Sequence, residues 1–563
     1  MHHHLSLKGK LIIMGSVMAS LFLVALDQTI IATALGRIVE EFNAFESLSW
    51  IVTAYLLTTT ITVPIAGKLS DLFGRRNLLL VGVAIFALGS FLSGLSGNIE
   101  QLIAWRALQG IGGGIITANA FTIVGDLFAA RERGKWQGLI GAVFGLSSVI
   151  GPLLGGWLTD GHGLFGVTTD WRWTFYINVP IAIVAFTLIA IFSPTLKHDA
   201  RPKIDYRGAA LLTLGLATLI LAVDNTESIF GGVMDSLNIT LATLRIIMFT
   251  IVALAIAGFI LTERKAKEPI LPLWFFKNKN FVRIMGIAAL FGSAFMGSIL
   301  YLTQFNQQVF AASPTESGLM LLPMVGGLML TSILSGQIIS RTGRYKIFMQ
   351  VGIVVATVMV ALLATLTPNS TYAYEAVLMT FLGMGLGVVM PVMNIAVQSE
   401  FEQHELGAAT SSSQLFRGLG TTIGTAVFGA VLTAGLVTNL GDMSQNAYIQ
   451  TLQKSPAGSQ IVQDTGDTNT LLNLNMSDTK QSITDGFEKS VEQLPQPAKE
   501  QATKTFLAQQ SEYSTQVVSS FSNSLRRIFI TAAILMALAA ILVFGLKEKP
   551  LGKAKPGETP GVE

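Results

Sequence analysis

Long apolar segments alternate with short polar loops from one end of this chain to the other. Each segment is close to the roughly 20 residues that a helix needs to cross about 30 Å of hydrocarbon. Since lipid offers the backbone no hydrogen-bond partners, such segments must be helices that satisfy their own backbone groups. The pattern predicts an all-α integral membrane protein with fourteen spans, at about 11–33, 48–68, 77–97, 101–125, 134–157, 174–194, 208–225, 243–261, 284–304, 316–338, 346–366, 373–398, 409–434 and 526–546.

A nine-residue pattern occurs twice, once in each half of this series of spans. The copies run from Gly67 to Arg75 and from Gly336 to Arg344, and Ser340 stands at the position of Asp71. Each copy joins the second and third spans of a six-span set. We therefore expect two six-helix bundles related by an internal repeat with pseudo-twofold symmetry. Matched loops of this kind indicate a transporter in which one bundle rocks against the other.

The repeat and the segments outside it predict three regions of the chain. The bundles are predicted at 1–195 and 281–563, and the segment 196–280 holds two additional central spans that echo neither bundle. The second bundle includes one long polar connection, residues 435–525.

Apolar residues recur at roughly helical spacing in two stretches of this connection. The stretches run from Ile483 to Leu494 and from Phe506 to Leu525, with Pro495 and Pro497 between them. We expect a helical hairpin outside the membrane between spans 13 and 14. A disordered loop is the alternative, because the amphipathic pattern is modest.

Composition agrees with a membrane protein and excludes several other classes. Only 13% of the residues are charged, against about 25% in soluble domains, and 51% are hydrophobic. The net charge of +3 is too small to indicate nucleic acid, and the absence of cysteine excludes disulfides and thiolate metal sites. The chain has no phosphate-binding loop, no metal-spaced histidine cluster and no histidine-based triad. We expect no enzyme activity, no metal and no cofactor, and an ion gradient as the energy source.

The loops differ in charge between the two sides of the membrane. Lysine and arginine dominate the loops on the side that also holds both termini, whereas the opposite loops are acidic or neutral. The positive-inside rule then places both termini in the cytoplasm.

Asp27 lies deep in the first span. An aspartate at the bilayer centre costs about 2.5–3.5 kcal/mol, so it should face a cavity or a partner. Burial disfavours the charged form of a carboxyl group, which could then carry a proton from one side to the other. The alternative is a structural polar anchor near the outer end of the helix.

Arg106 lies in the outer part of the fourth span, before a run of glycines that permits close helix packing. Arginine stays charged, so it can attract a carboxylate and lose that attraction when the carboxylate is protonated. The alternative is an interfacial arginine that reaches the outside water.

Two further groups suggest a conformational role. Asp71, Arg75 and Asp126, with Gly67 and Gly74, are predicted to form a cytoplasmic latch that closes in one state and opens in another. The fifth span contains Pro152 among glycines, which favours a hinge, although helix packing alone would also explain the pattern; the glycines are Gly151, Gly155 and Gly156.

A substrate cavity is expected to be apolar with a few polar anchors. The candidates from both halves are Trp50, Tyr55, Asn119, Tyr301, Gln304, Gln307, Asn394 and Gln398. Three further acids, Asp224, Glu316 and Glu375, stand at predicted outer ends, where ordinary solvation is favoured over transport chemistry.

These motifs together resemble the major facilitator superfamily, and specifically its fourteen-span drug:proton antiporter branch (DHA2). Gly67 to Arg76 is similar to the loop signature between spans two and three, and Arg106 to Gly114 to the proton-coupling signature of span four. Gly151 to Gly156 resembles the antiporter signature of span five, and Leu26 to Thr29 the first-span signature of drug exporters. Ala32 and Gly36 depart from the first-span pattern, and Ser340 replaces the acid of the second loop.

The resemblance implies a proton-coupled exporter of lipophilic, preferably cationic drugs or dyes, monomeric and located in a bacterial cytoplasmic membrane among its lipids. An exporter of a lipid or lipid-linked amphiphile is the alternative, and a non-transporting membrane sensor is a third interpretation. Asp27 and Arg106 would carry the coupling in the first case.

Overall fold

The structure is a computed structural model that describes residues 7–42, 48–159, 161, 163–164, 167–193, 204–223, 226–312, 314–440, 443–454 and 468–551. Within these residues, fourteen helices are long and apolar enough to cross a membrane. They occur where the hydrophobic pattern predicts them, which confirms the fourteen spans. Residues 194–203, between the sixth and seventh spans, and the segment 455–467 lie outside the described residues.

The first bundle consists of six long helices and one short helical turn. Its elements are α1 (Leu7–Phe42), α2 (Leu48–Phe73), α3 (Arg75–Gly94), α4 (Ile99–Leu127), α5 (Arg133–Thr159), α6 (Trp173–Tyr176) and α7 (Asn178–Phe192). Two short antiparallel strands, β1 (Gly163–Leu164) and β2 (Val167–Thr168), precede α6. The first helix is longer than predicted, so Asp27 lies well inside it rather than near its end.

The central pair consists of α8 (Tyr206–Val223) and α10 (Leu241–Glu263), which pack against each other, and α8 also packs against α2. A shorter amphipathic helix, α9 (Thr226–Leu237), joins them. The hydrophobic pattern does not predict α9, because its few apolar residues fall between two much stronger hydrophobic segments.

The second bundle has longer helices and a larger connection. Its spans are α11 (Lys279–Val309), α13 (Leu322–Thr342), α14 (Lys346–Leu363), α15 (Tyr372–Gln398) and α16 (Leu406–Leu440). A short helix, α12 (Pro314–Met320), precedes α13. The remaining helices are α17 (Ala447–Gln453), α18 (Thr468–Asn473), α19 (Ser477–Ser490) and α20 (Gln496–Phe544).

The predicted hairpin between spans 13 and 14 is confirmed in the described residues. Its arms are α19 and the first half of α20, and Pro495 caps the second arm. The rings of Phe487 and Phe506 stack across the arms with centroids 4.0 Å apart. The disordered-loop alternative is therefore wrong for these residues. One feature was not predicted: α20 continues without a break from the hairpin into the last span.

Each bundle has its own hydrophobic core. One cluster of buried residues joins α1, α3, α4 and α5, and a larger one joins α11 and α13 to α16. The larger cluster extends along α20 and includes the buried hairpin residues Phe506, Tyr513 and Phe521. The hairpin is therefore packed as a continuation of the second bundle.

The helices end on two opposite sides of the molecule, the motif side and the hairpin side. The motif side carries the loop from Gly67 to Arg75 and its copy, and the hairpin side carries α19. Leu551, the last described residue, lies on the motif side, because it donates its backbone N–H to the carbonyl oxygen of Gly343 at 3.0 Å. The start of α1 lies on the same side, because the ammonium group of Lys10 lies 5.5 Å from the centre of the Phe128 ring, which follows α4.

The stacked pair in the hairpin gives a stability prediction. Phe506→Ala should lower the free energy of unfolding of the hairpin by about 3–5 kcal/mol, because a buried ring is removed. The measurement is limited proteolysis of the purified protein, with cleavage expected in the hairpin before any span. Leu507→Ala is the matched control, since Leu507 is 43% exposed while Phe506 is 2% exposed. Equal protease resistance in the two variants would contradict the prediction.

Candidate functional site

Asp27 and Arg106 form an ion pair in the interior of the first bundle. Oδ2 of Asp27 accepts a hydrogen bond from Nη1 of Arg106 at 2.5 Å. Only 1% of either side chain is exposed. Asp27 extends from the middle of α1 and Arg106 from α4, so the pair joins two spans that lie far apart in sequence. The position of both charges away from water excludes the interfacial interpretation of Arg106.

The other oxygen of Asp27 is also occupied. Oδ1 accepts from Nε2 of Gln109 at 2.8 Å and from Nδ2 of Asn178 at 3.2 Å. Asn178 begins α7 and donates as well to Oγ of Ser90 on α3, at 3.0 Å. The carboxylate thus joins three helices, α1, α4 and α7, and Asn178 links it to a fourth, α3.

The guanidinium of Arg106 is enclosed by aromatic rings and polar oxygens. It lies 4.3 Å from the centre of the Tyr55 ring on α2 and 5.7 Å from that of Phe175. Oε1 of Gln109 accepts from Nη1 at 2.8 Å, and the carbonyl oxygen of Ile51 accepts from Nε at 3.4 Å. A guanidinium over an aromatic face is attracted by the ring quadrupole.

Two members of this site were missed in the sequence analysis. Gln109 follows Arg106 by three residues and therefore lies on the same face of α4, a signal that was available. Asn178 stands 151 residues from Asp27 in the chain, and nothing in the local pattern distinguishes it from other polar residues at a helix start.

The contact between α1 and α4 depends on both charges of this pair. A buried ion pair is held by the attraction between its members, and removing one charge leaves the other uncompensated, at a cost of about 3–5 kcal/mol. Loss of either charge would therefore weaken the packing of α1 against α4.

A second charged group lies on the motif side. Nε of Arg75 donates to Oδ2 of Asp126 at 2.7 Å, and Nη2 of Arg75 donates to Oδ1 of Asp71. The structure thus brings together the three residues predicted to form a latch. Gly74, which precedes α3, has φ 89°, a conformation that favours glycine.

Asp71 also reaches the second bundle, which the sequence analysis did not predict. Its Oδ1 accepts from the backbone N–H of Gly407 at 3.1 Å and its Oδ2 from that of Ala408 at 3.0 Å. These groups belong to the first turn of α16, where N–H groups have no partner within the helix and the helix dipole favours a negative charge. The carboxylate of Asp71 therefore caps a helix of the opposite bundle.

The second copy of the motif makes a different contact. The carbonyl oxygen of Ser340 accepts from Nε of Arg131 in the first bundle at 2.8 Å. Where the first loop uses a carboxylate, the second uses a backbone oxygen. Further hydrogen bonds close the motif side: Nε2 of Gln398 donates to the carbonyl oxygen of Phe121 at 3.0 Å, and Oγ of Ser332 to that of Gly138 at 2.8 Å.

The predicted cavity residues do not lie together but are distributed over several parts of the two bundles. Asn394 and Gln398 lie buried between the bundles, where Asn394 donates to Oε1 of Gln137 at 3.5 Å. Tyr55 belongs to the Asp27 site, and the amide of Asn119 donates within α4 to the carbonyl oxygen of Ile115 at 2.8 Å. The others are placed as follows: Tyr301 is buried against Phe428, Gln307 donates to Ser317, and Trp50 and Gln304 are partly exposed. A shared cavity for all eight remains a prediction.

The predicted hinge lies in a continuous helix. Pro152 stands inside α5, and Gly155 and Gly156 follow it in the same helix. A Cβ atom at Gly151 would overlap Oγ1 of Thr29, so this glycine permits close packing of α1 and α5. Thr29 in turn donates to the carbonyl oxygen of Ser147 at 3.0 Å. Packing is observed here, and bending of α5 remains a prediction.

The expectation for one outer acid is wrong. Glu375 is fully buried rather than solvated, since α11 and α15 pack together at this level. When the Asn306 amide is oriented with its nitrogen towards Glu375, as the hydrogen-bonding partners require, the two carboxylate oxygens accept from that nitrogen at 2.9 and 2.8 Å. Glu316 is exposed, and Asp224 lies outside the described residues.

The chain is similar along most of its length to the proteins of one family. Residues 17–425 match the model described as Major Facilitator Superfamily. The chain is 34% identical over 559 residues to the multidrug transporter protein MdtP of Bacillus subtilis, covering 97% of this chain and 95% of that protein. It is 32% identical over 536 residues to multidrug resistance protein 3 of the same organism, covering 95% and 94%.

Two solved structures share the fold. The human organic anion transporter MFSD10 superposes with a TM-score of 0.55 at 17% identity, over 75% of this chain and 93% of that one. The proton:xylose symporter XylE superposes with a TM-score of 0.53 at 14% identity, over 76% and 90%.

The capping of α16 by Asp71 can be tested with a single methyl group. A Cβ atom at Gly407 would overlap Oδ1 of Asp71 and lie 2.5 Å from Nη1 of Arg75. Overpacking costs about 1–3 kcal/mol, so Gly407→Ala should reduce the population of the state closed on the motif side by about tenfold. Because the chain has no cysteine, spin labels can be placed with Lys135→Cys and Arg344→Cys and their separation measured by pulsed electron resonance.

Gly418→Ala is the matched control on the same helix, since a Cβ atom there would lie 3.6 Å from Thr60, an ordinary contact. Longer label separations are expected in Gly407→Ala alone. The same distance distribution in both variants would show that the capping does not hold the bundles together.

Proposed function

The chain belongs to the major facilitator superfamily, and on that premise we propose that it is a proton-coupled multidrug antiporter. It would export lipophilic, preferably cationic, compounds across a bacterial cytoplasmic membrane in exchange for protons. The multidrug part of this proposal is supported by the two Bacillus relatives, which match along nearly their whole length. The fold of this chain is that of the major facilitator superfamily, two six-helix bundles, with two additional spans between them.

The observation that carries the proton coupling is the buried pair of Asp27 and Arg106. A carboxylate with 1% exposure can exchange a proton only when the surrounding helices move. Protonation and helix rearrangement are thereby linked, as antiport requires. Entry of one proton charge down a membrane potential is worth about 2.3 kcal/mol per 100 mV, which is enough to drive a useful concentration ratio.

The contacts on the motif side support alternating access. Asp71 and Arg131 each hold a group of the opposite bundle in this state, and both contacts must break if the motif side opens. The Asp27 site is built from α1, α2, α4 and α7, and α2 also carries Asp71 near its end. A shift of α2 against α4 would therefore alter the contacts of the Asp27 site and those of Asp71.

The charges of the loops support an orientation of the protein in the membrane. The motif side, with both ends of the chain, is proposed to face the cytoplasm, and the hairpin side to face outward. Drugs would then leave towards the side of α19. We expect the transporter to act as a monomer among membrane lipids.

The test is transport by purified protein in proteoliposomes with an imposed pH gradient. Asp27→Asn should abolish gradient-driven ethidium movement and the accompanying change of lumenal pH, because the amide cannot take up a proton. Asp235→Asn makes the same chemical change at an exposed position of α9 and should transport normally.

A folding defect must be separated from a coupling defect, since Asp27→Asn leaves Arg106 without its charge partner. Asp27→Glu keeps a titratable group, and it should retain gradient-driven transport that Asp27→Asn lacks. Full transport in Asp27→Asn would remove Asp27 from the mechanism. No gradient-driven dye movement in the wild type would contradict the antiport proposal.

A further inference from the structure

Arg417 lies within a membrane span and has no acidic partner among the residues that the structure describes. Arg417 lies on α16, eleven residues after the helix begins at Leu406. At 1.5 Å per residue this places it about 16 Å along the helix, near the middle of the hydrocarbon. Such a position is costly for a charge unless something compensates it.

The hydrogen-bond partners of Arg417 in the described residues are neutral. Nη2 donates to Oε1 of Gln414 at 2.6 Å, and Nη1 lies 3.2 Å from the sulfur of Met390 on α15. Guanidinium has five N–H donors, so these two contacts leave donors for another group. The residue as a whole is partly exposed.

The other buried charges of the described spans are already engaged. Arg106 holds Asp27, and Arg75 holds Asp71. Glu375 accepts from Asn306, and Glu263 accepts from the backbone N–H groups of Ile270 and Leu271. Each buried carboxylate thus has a partner elsewhere, and Arg417 remains as an uncompensated positive charge.

The contacts of Arg417 place its guanidinium between the bundles. Met390 packs against the hydrophobic cores of both bundles. Gln414 donates to Oδ1 of Asn394 at 3.1 Å, and Asn394 donates to Oε1 of Gln137 on α5 of the first bundle. The guanidinium of Arg417 therefore lies beside the interface between the two bundles. On that side its neighbours are protein groups and not lipid.

We propose that Arg417 binds the carboxylate of a lipophilic substrate, so that the transported range includes zwitterions and acids as well as cations. The inference rests on the proposed multidrug function and adds a substrate class to it. Two parallel N–H groups of a guanidinium match the two oxygens of a carboxylate. Gln414 orients the guanidinium from one side, and the sulfur of Met390 together with neighbouring apolar residues would receive the lipophilic part of the compound.

A pair of dyes isolates the carboxylate. Rhodamine B and rhodamine B ethyl ester share the same cationic ring system, and the free carboxylate is present only in the first. Binding of each dye to the purified full-length protein is measured by fluorescence anisotropy at neutral pH. The variants are Arg417→Gln, Arg417→Lys and, as the matched control, Arg245→Gln at an exposed position of α10.

Arg417→Gln should weaken rhodamine B binding about ten- to hundredfold, the range expected for a hydrogen bond to a charged group. Binding of the ethyl ester should change by less than about twofold, which also shows that the variant is folded. Arg417→Lys keeps the charge without the planar fork, so an intermediate loss is expected. Arg245→Gln should bind both dyes as the wild type does.

Three results would overturn the inference: an equal loss for both dyes, no loss for rhodamine B, or wild-type protein that binds only the ester. Equal loss would assign Arg417 to the general packing of the bundle interface. Binding of neither dye by the wild type would instead contradict the multidrug function, and the inference would fall with it.

Discussion

The constraint on which this structure depends is the cost of an electric charge in hydrocarbon. Every ionised group placed within the spans needs an opposite charge, several hydrogen bonds or access to water. Asp27 meets this requirement with Arg106, Gln109 and Asn178, and thereby ties three helices of the first bundle together, α1, α4 and α7. A charge that fixes helices in this way makes their packing depend on that charge, since its loss would leave Arg106 uncompensated.

The contacts between the bundles depend on the same physics at the edge of the membrane. Asp71 neutralises Arg75 within its own bundle and caps α16 of the other. A helix N-terminus carries only a partial charge, so this contact is strong enough to favour a state and weak enough to break. At the second copy of the motif, Ser340 offers a carbonyl oxygen to Arg131. The repeat thus preserves the position of an inter-bundle contact while its chemistry has diverged, and the two loops need not open at the same cost.

Hydropathy and local motifs were sufficient to predict the fourteen spans and the repeat, because these depend on the residues within each segment. Asp126 could be assigned to the group around Arg75 because it ends the fourth span on the side of the loop that follows the second. Pro495 and the spacing of Phe506 to Leu525 were likewise enough for the hairpin. The partners that come from distant segments were not predictable: Asn178 at Asp27, Gly407 at Asp71 and Asn306 at Glu375. Glu375 shows the limit most clearly, since its position near a helix end indicated solvation, whereas its burial depends on how α11 packs against α15.

The continuity of α20 gives the hairpin a mechanical relation to the second bundle. The helix runs for 49 residues from the hairpin through the last span. Along the way it packs on α11, α14 and α16. In the hairpin, Tyr513 donates to the carbonyl oxygen of Leu471 at 2.7 Å, and Nε2 of Gln510 donates to Oη of Tyr448 at 3.1 Å. These contacts couple the helices outside the spans to α20 and hence to α16, whose other end is capped by Asp71. Because a packed helix moves as a rigid element, motion of the second bundle carries the hairpin with it. In the alternating-access cycle that we propose, the hairpin would therefore move with the opening and closing of the motif side.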